Sequence, residues 1–176
     1  FVISGYLISN IIISELNSNE FSFKSFYLKR IRRIIPALLS TLLITIPFSY
    51  WLLTPKAMME YTKSLIASLF FYANYYFQNL DFYNAEPTKT MPLLHTWSLA
   101  IEEQFYIFFP VLFFFFVRLF RKINTLIWVI FIVSLLSFFL NILLINLGGS
   151  NPAFFLLPTR IWNFSIGVLA MLLFLS

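Results

Sequence analysis

Thirty-seven consecutive residues, Ile123–Thr159, carry no charge, and another 22, Ile34–Pro55, carry none either. A membrane-crossing helix needs about 20 predominantly apolar residues, so runs of this length fix the solvent before they fix anything else. Composition agrees. Of 176 residues, 60% are hydrophobic and 11% charged, with a mean hydropathy of +0.86; a soluble domain runs about 45–50% apolar and about 25% charged. Such a chain cannot cover its own core with polar surface. In lipid only helices and closed barrels satisfy the backbone, and no run alternates as barrel strands do. The class is therefore all-α: a polytopic integral membrane protein.

The remaining uncharged runs set the expected elements. Phe1–Ser14 is short; Ser64–Leu80 has 17 residues and is rich in aromatics. Gln104–Val117 has 14 and reaches a full span if its helix starts near Trp97 and takes in Glu102 and Glu103. Ile123–Thr159 reads as a helix from Thr125 to Leu147 followed by a Gly-Gly-Ser-Asn-Pro turn, and a last helix begins at Ile161. This predicts a bundle of about five to six transmembrane or re-entrant helices. Pro36 falls near a helix start, where proline is tolerated, and Pro47 lies mid-span, where it kinks a helix. The chain opens without Met inside one apolar run and stops inside another, Ile161–Ser176. It reads as an internal piece of a longer polytopic protein, truncated at both ends, with residues 1–176 forming part of one membrane-embedded domain.

Lys and Arg in the loops predict orientation. The segment 15–33 holds five (Lys24, Lys29, Arg30, Arg32, Arg33) and 118–124 holds three (Arg118, Arg121, Lys122). Segment 54–63 holds two, while 79–97 and 148–160 hold one each. The first two are expected to be cytoplasmic and 79–97 extracytoplasmic, which makes Ser64–Leu80 re-entrant or interfacial. The alternative lets that segment span and leaves the positives of 118–124 outside.

Several chemistries are excluded. Cysteine is absent and His95 is the one histidine, so thiolate catalysis and multi-histidine metal sites have no ligands. Four glycines leave no material for a phosphate-binding loop. Two places could carry chemistry. Phe26–Pro36 packs basic residues against a helix start. The cluster satisfies the positive-inside rule and holds anionic lipid heads; equally, Arg30 and Arg33, three apart on one helical face, suit an anion, because the guanidinium fork binds phosphate bidentately. In Leu93–Tyr106 a histidine and two acids enter an apolar helix, where ionisable groups are costly and mark function. His95, Ser98 and Glu102 fall at i, i+3 and i+7, a single polar stripe, with Trp97 beside it and Glu103 turned about 100° away. The plainer reading puts both acids in the first turn, where they suit the helix dipole. Arg160, followed by Trp162, reads as an interfacial anchor or a second anion contact. Asn141 and Asn146 read as interhelical hydrogen-bond partners.

Phe1-Val-Ile-Ser-Gly-Tyr-Leu-Ile8, Phe26–Pro36 with its paired arginines, and His95-Thr-Trp-Ser-Leu-Ala-Ile-Glu-Glu-Gln-Phe-Tyr106 occur in this order. Together they resemble the acyltransferase-3 family, bacterial inner-membrane enzymes that O-acylate surface glycans. The resemblance covers essentially the whole chain. It implies an acyl-CoA donor, usually acetyl-CoA, entering as co-substrate from the cytoplasm, with no bound cofactor and no metal. It implies an acceptor hydroxyl on lipopolysaccharide, peptidoglycan or exopolysaccharide sugars, with membrane lipids as further partners and no nucleic acid. The family's Arg-x-x-Arg motif falls on Arg30 and Arg33, and its acid in the Trp-Ser-Leu motif on Glu102. Its first helix, carrying the histidine regarded as catalytic base, lies upstream of Phe1. The residues expected at the site are thus Glu102 and His95 for chemistry and Arg30, Arg33, Trp97, Ser98 and Arg160 for binding. The rival readings are a transporter or flippase segment, whose acids would serve coupling ions, and a structural membrane subunit.

Overall fold

Apolar length governs where the helices lie. The computed structural model describes residues 1–80, 91–120 and 122–175. Among them the secondary structure is helical: α1 (Val2–Asn17), α2 (Phe23–Leu52), α3 (Pro55–Leu69), α4 (Ala73–Gln78), α5 (Thr96–Leu119), α6 (Ile123–Asn146), α7 (Ser150–Phe155) and α8 (Ile161–Leu175). Three of these, α2, α5 and α6, are long and apolar enough to cross a membrane. The chain is a helical membrane protein. Residues 81–90 of the 79–97 segment, and Arg121, lie outside the described residues.

Three expectations are corrected. The basic cluster is not in a loop: α2 begins at Phe23, so Lys24, Lys29, Arg30, Arg32 and Arg33 occupy its first three turns, and Pro36 lies in the helix interior. The physical reason is length. Thirty helical residues extend roughly 45 Å at 1.5 Å each, well over the ~30 Å hydrocarbon core, so the first turns can be helical and still hold their charges outside lipid. The helix runs through both Pro36 and Pro47. Next, the alternative in which Ser64–Leu80 spans as one segment is corrected. The segment is shared between α3 and α4, parted at Phe71, whose φ of 55° is left-handed. That backbone is strained for a phenylalanine; packing of Phe71 against Leu38, Leu42, Tyr61 and Leu93 offsets the strain. Finally, the glycine turn after α6 is followed by a short helix, α7, that the periodicity did not reveal. Gly148, at φ 80°, makes that turn possible.

The chain forms two compact units. One comprises residues 1–21 and 101–176. Here α1 crosses α8 at Gly5 and Gly167: a Cβ on Gly5 would meet the Phe164 carbonyl, and one on Gly167 the Val2 carbonyl. Phe105, Phe109 and Phe113, each one turn apart on α5, stack in sequence at 4.5 and 4.9 Å, and Phe105 also stacks on Phe164 of α8 at 4.0 Å. Asn141 of α6 donates to the Ala153 carbonyl of α7 at 2.9 Å, the interhelical role expected of it. Ser137 of α6 donates to the Pro158 carbonyl at 2.6 Å and accepts from the Trp162 amide at 3.1 Å.

The other unit, residues 22–100, has a core of Leu38 and Leu42 from α2, Tyr61 from α3 and Leu93. Tyr61 and Thr45 join α3 to α2 by a hydroxyl contact of 2.9 Å. The start of α5 is tied to α3 where Thr96 Oγ1 meets Ser68 Oγ at 2.7 Å.

Candidate active site

Glu102 stands in the second turn of α5, whose first turn holds no acid. The reading in which both carboxylates merely complement the helix dipole is therefore corrected: the helix starts at Thr96, and dipole effects fade within one turn. Glu102 Oε2 accepts from the phenol of Tyr106, one turn further on, at 3.2 Å. The same phenol lies 3.0 Å from Ser4 Oγ on α1, in position to donate to it. The backbone nitrogen of Phe1 is 3.7 Å from Glu102 Oε1.

Aromatic packing brings these groups together. Phe164 stacks on Phe105, and Phe1 lies against Phe164 at 4.9 Å, so the first turn of α1 meets α5 at the level of Glu102. Tyr106 is 7% exposed, while the Glu102 side chain is 29% exposed. A carboxylate on an apolar helix is thus given a buried donor on one oxygen. Such a contact lowers the cost of keeping a charge among apolar groups.

His95 sits in the turn just before α5, with its side chain exposed. Its carbonyl accepts from the Ser98 amide at 3.3 Å and from Ser98 Oγ at 3.0 Å. The polar stripe is therefore modified. His95 is not a helical member of it, and the Ser98 hydroxyl turns back on the preceding turn. Trp97, the second residue of α5, is half-buried.

Arg30 and Arg33 lie three apart on α2, and the Arg30 guanidinium is 5.6 Å from the Phe26 ring centre. Arg30 is half-buried and Arg33 exposed. Arg160, between α7 and α8, donates from Nε to the Phe154 carbonyl at 3.0 Å and stacks on the Phe154 ring at 4.6 Å. Burial pulls its pKa below the usual guanidinium value. These contacts fix Arg160 against α7.

Two features escaped the sequence. Ser4 and Tyr106 are separated by 102 residues; a polar residue four before Tyr106, at Glu102, is the signal that could have found the phenol. The second feature is a small crevice in the unit of residues 22–100, lined by Glu60, Tyr61, Ser64, Tyr76, Phe77 and Met91 among others. In it Glu60 takes Lys63 Nζ at 2.8 Å on Oε1 and the Tyr76 phenol at 2.6 Å on Oε2.

Residues 1–176 match the family model of acyltransferase-3, described as an acyltransferase domain. The O-acetyltransferase OatA of Staphylococcus aureus strain NCTC 8325 is 36% identical over 171 residues, covering 95% of this chain and 28% of that protein. A protein of Staphylococcus aureus strain COL, named as a candidate O-acetyltransferase, is 33% identical over 171 residues, covering 96% of the chain and 28% of its own length. The chain spans little more than a quarter of the length of these relatives. No solved structure matches it.

Proposed function

Because this chain belongs to the acyltransferase-3 family, we propose that it is the membrane-embedded part of an enzyme that moves an acyl group, acetyl by the names of its relatives, from acyl-CoA to a hydroxyl of a cell-surface glycan. Lipopolysaccharide O-antigen, peptidoglycan and exopolysaccharide all offer such hydroxyls. The enzyme is multi-pass in the bacterial cell membrane, with Arg30 and Arg33 on the cytoplasmic side. One observation carries this reading: Glu102, an ionisable group on an apolar spanning helix, is held by Tyr106 and approached by the start of α1.

The reaction needs little beyond positioning and a base. The sugar hydroxyl oxygen attacks the thioester carbonyl carbon; a C–O bond forms, the C–S bond breaks, and the proton lost from the hydroxyl is taken up by a base and passed to the departing thiolate. A hydroxyl is a poor nucleophile at neutral pH, so this base must sit within hydrogen-bond reach. Arg30 and Arg33 hold the phosphates of the polyanionic donor through bidentate contacts. Glu102 orients the base or the acceptor sugar, with Trp97 and Ser98 alongside. The family's base is a histidine on a helix preceding the segment matched by Phe1. A helix continuing upstream from Phe1 would begin beside the Glu102 carboxylate, whereas His95 is exposed. Arg160, tied to Phe154, acts as an anchor.

The test is acetyl incorporation into surface polysaccharide, normalised to protein in the membrane. Residues 1–176 alone give none. In the full-length protein Glu102→Gln loses far more activity than Glu103→Gln. Full activity from residues 1–176 would make His95 the base, and equal tolerance of both substitutions would remove Glu102 from the mechanism.

A further inference from the structure

We infer that Tyr106 is the positioning residue of the Glu102 carboxylate and that Ser4 holds its phenol in place; the inference rests on the acyl-transfer reading above. Three observations carry it. The Tyr106 hydroxyl is within hydrogen-bond distance of both Glu102 Oε2, at 3.2 Å, and Ser4 Oγ, at 3.0 Å. The residue is buried, so its geometry is set by packing and not by water. Its ring meets Phe105 edge to face, with centres 6.2 Å apart, a role that a phenylalanine would fill equally well. The hydroxyl therefore needs its own explanation, because a buried hydroxyl is costly unless satisfied.

A phenol has one proton and here two acceptors. While Glu102 is ionised its oxygen is the stronger acceptor, since hydrogen bonds to a charged partner are roughly twice as strong as neutral ones. The proton then lies on Oε2, and Ser4 is the fixed neighbour on the other side. Tyr106 thus holds Glu102 Oε2 in one place, and α1 contributes to the site through Ser4.

The experiment compares Tyr106→Phe, Ser4→Ala, Ser4→Thr and Glu102→Asp in the full-length protein in membranes. The readouts are kcat and KM for the acyl donor, each normalised to folded protein, with thermal unfolding in detergent measured alongside. Tyr106→Phe is expected to lower kcat roughly tenfold to a hundredfold, as small misplacements of a reacting group do, leaving KM for the donor and the unfolding temperature near parental values. Ser4→Ala lowers kcat less, and Ser4→Thr, which keeps a hydroxyl, restores it. In the Glu102→Asp background, where the shortened carboxylate no longer reaches the phenol, Tyr106→Phe adds no further loss. Parental kcat in Tyr106→Phe, with Glu102→Asp impaired, would overturn the inference and leave the acyl-transfer site standing. An equal further loss from Tyr106→Phe in the Glu102→Asp background would also overturn it, by showing that the hydroxyl acts independently of the Glu102 carboxylate. Parental activity in Glu102→Asp and Glu102→Gln together would overturn the site reading itself.

Discussion

The phenol of Tyr76 donates to Glu60 Oε2 at 2.6 Å and lies 3.2 Å from the carbonyl oxygen of the same residue, so α4 is fastened to α3 by one side chain. The hydrogen bonds from Lys63 and then Tyr76 hold the Glu60 carboxyl below the usual carboxylate range. A carboxyl whose folded pKa lies below its unfolded value adds stability above the unfolded pKa, and loses it as pH falls through the folded one. The loss thus begins below about pH 4. The unfolding temperature of the detergent-solubilised protein should fall further between pH 7 and pH 3 in the parent than in Glu60→Gln, with Tyr76→Phe in between. Parallel curves would mean the pair is only an exposed contact of little energetic weight.

The glycines of the α1–α8 crossing have no room to grow. In most helices Gly→Ala stabilises by about 1 kcal/mol. Here the added carbon would collide with backbone, of Val2 for Gly167 and of Phe164 for Gly5. Overpacking of this kind costs about 1–3 kcal/mol or more, so Gly167→Ala and Gly5→Ala should lower the unfolding temperature. Gly148→Ala is the control: open space surrounds it, and its positive φ carries a strain of about 1 kcal/mol. A neutral Gly167→Ala would mean the helices cross less closely than described.

If Arg33 binds donor phosphate, charge alone will not replace it. Arg33→Ala should raise KM for acyl-CoA at least tenfold (about 1.4 kcal/mol or more), and Arg33→Lys should recover only part of this, since lysine lacks the fork. Arg33 is exposed, so neither change should alter the amount of protein in the membrane. Parental KM in both variants would leave the cluster as an orientation signal.

Orientation can be read directly, because the chain has no cysteine of its own. Single cysteines at Ser22, just before α2, and at Asn84, outside the described residues, should differ: an impermeant thiol reagent on intact cells labels Asn84→Cys and spares Ser22→Cys. Equal labelling would refute the assignment.

How much of this was legible follows from which forces are local. The bounds of α5, α6 and α8 came within a few residues of the apolar runs, because in lipid the length of a run decides what can be helix. The start of α2 did not, because Lys24 to Arg33 look like a loop to any count of charges, and only a helix longer than the membrane reconciles them. The break at Phe71 was invisible, as a left-handed phenylalanine has no residue signature and depends on a core made by Leu38 and Leu93. Glu102 stood out in the sequence because a charge in an apolar stretch is conspicuous. Ser4 and Tyr106 did not, since what marks them is a contact across 102 residues.

The glycine crossing also sets an order of events. Residues of α1 leave the ribosome before those of α8, since synthesis runs from the N-terminus, and Gly5 waits for a partner about 160 positions later in the chain. Until α8 is made, the first turn of α1, with Ser4 in it, lacks the surface that sets its height against α5. The surroundings of Glu102 are therefore completed only when α8 has been made, and a nascent protein arrested before residue 161 would have its acid in the membrane without the contacts that surround it.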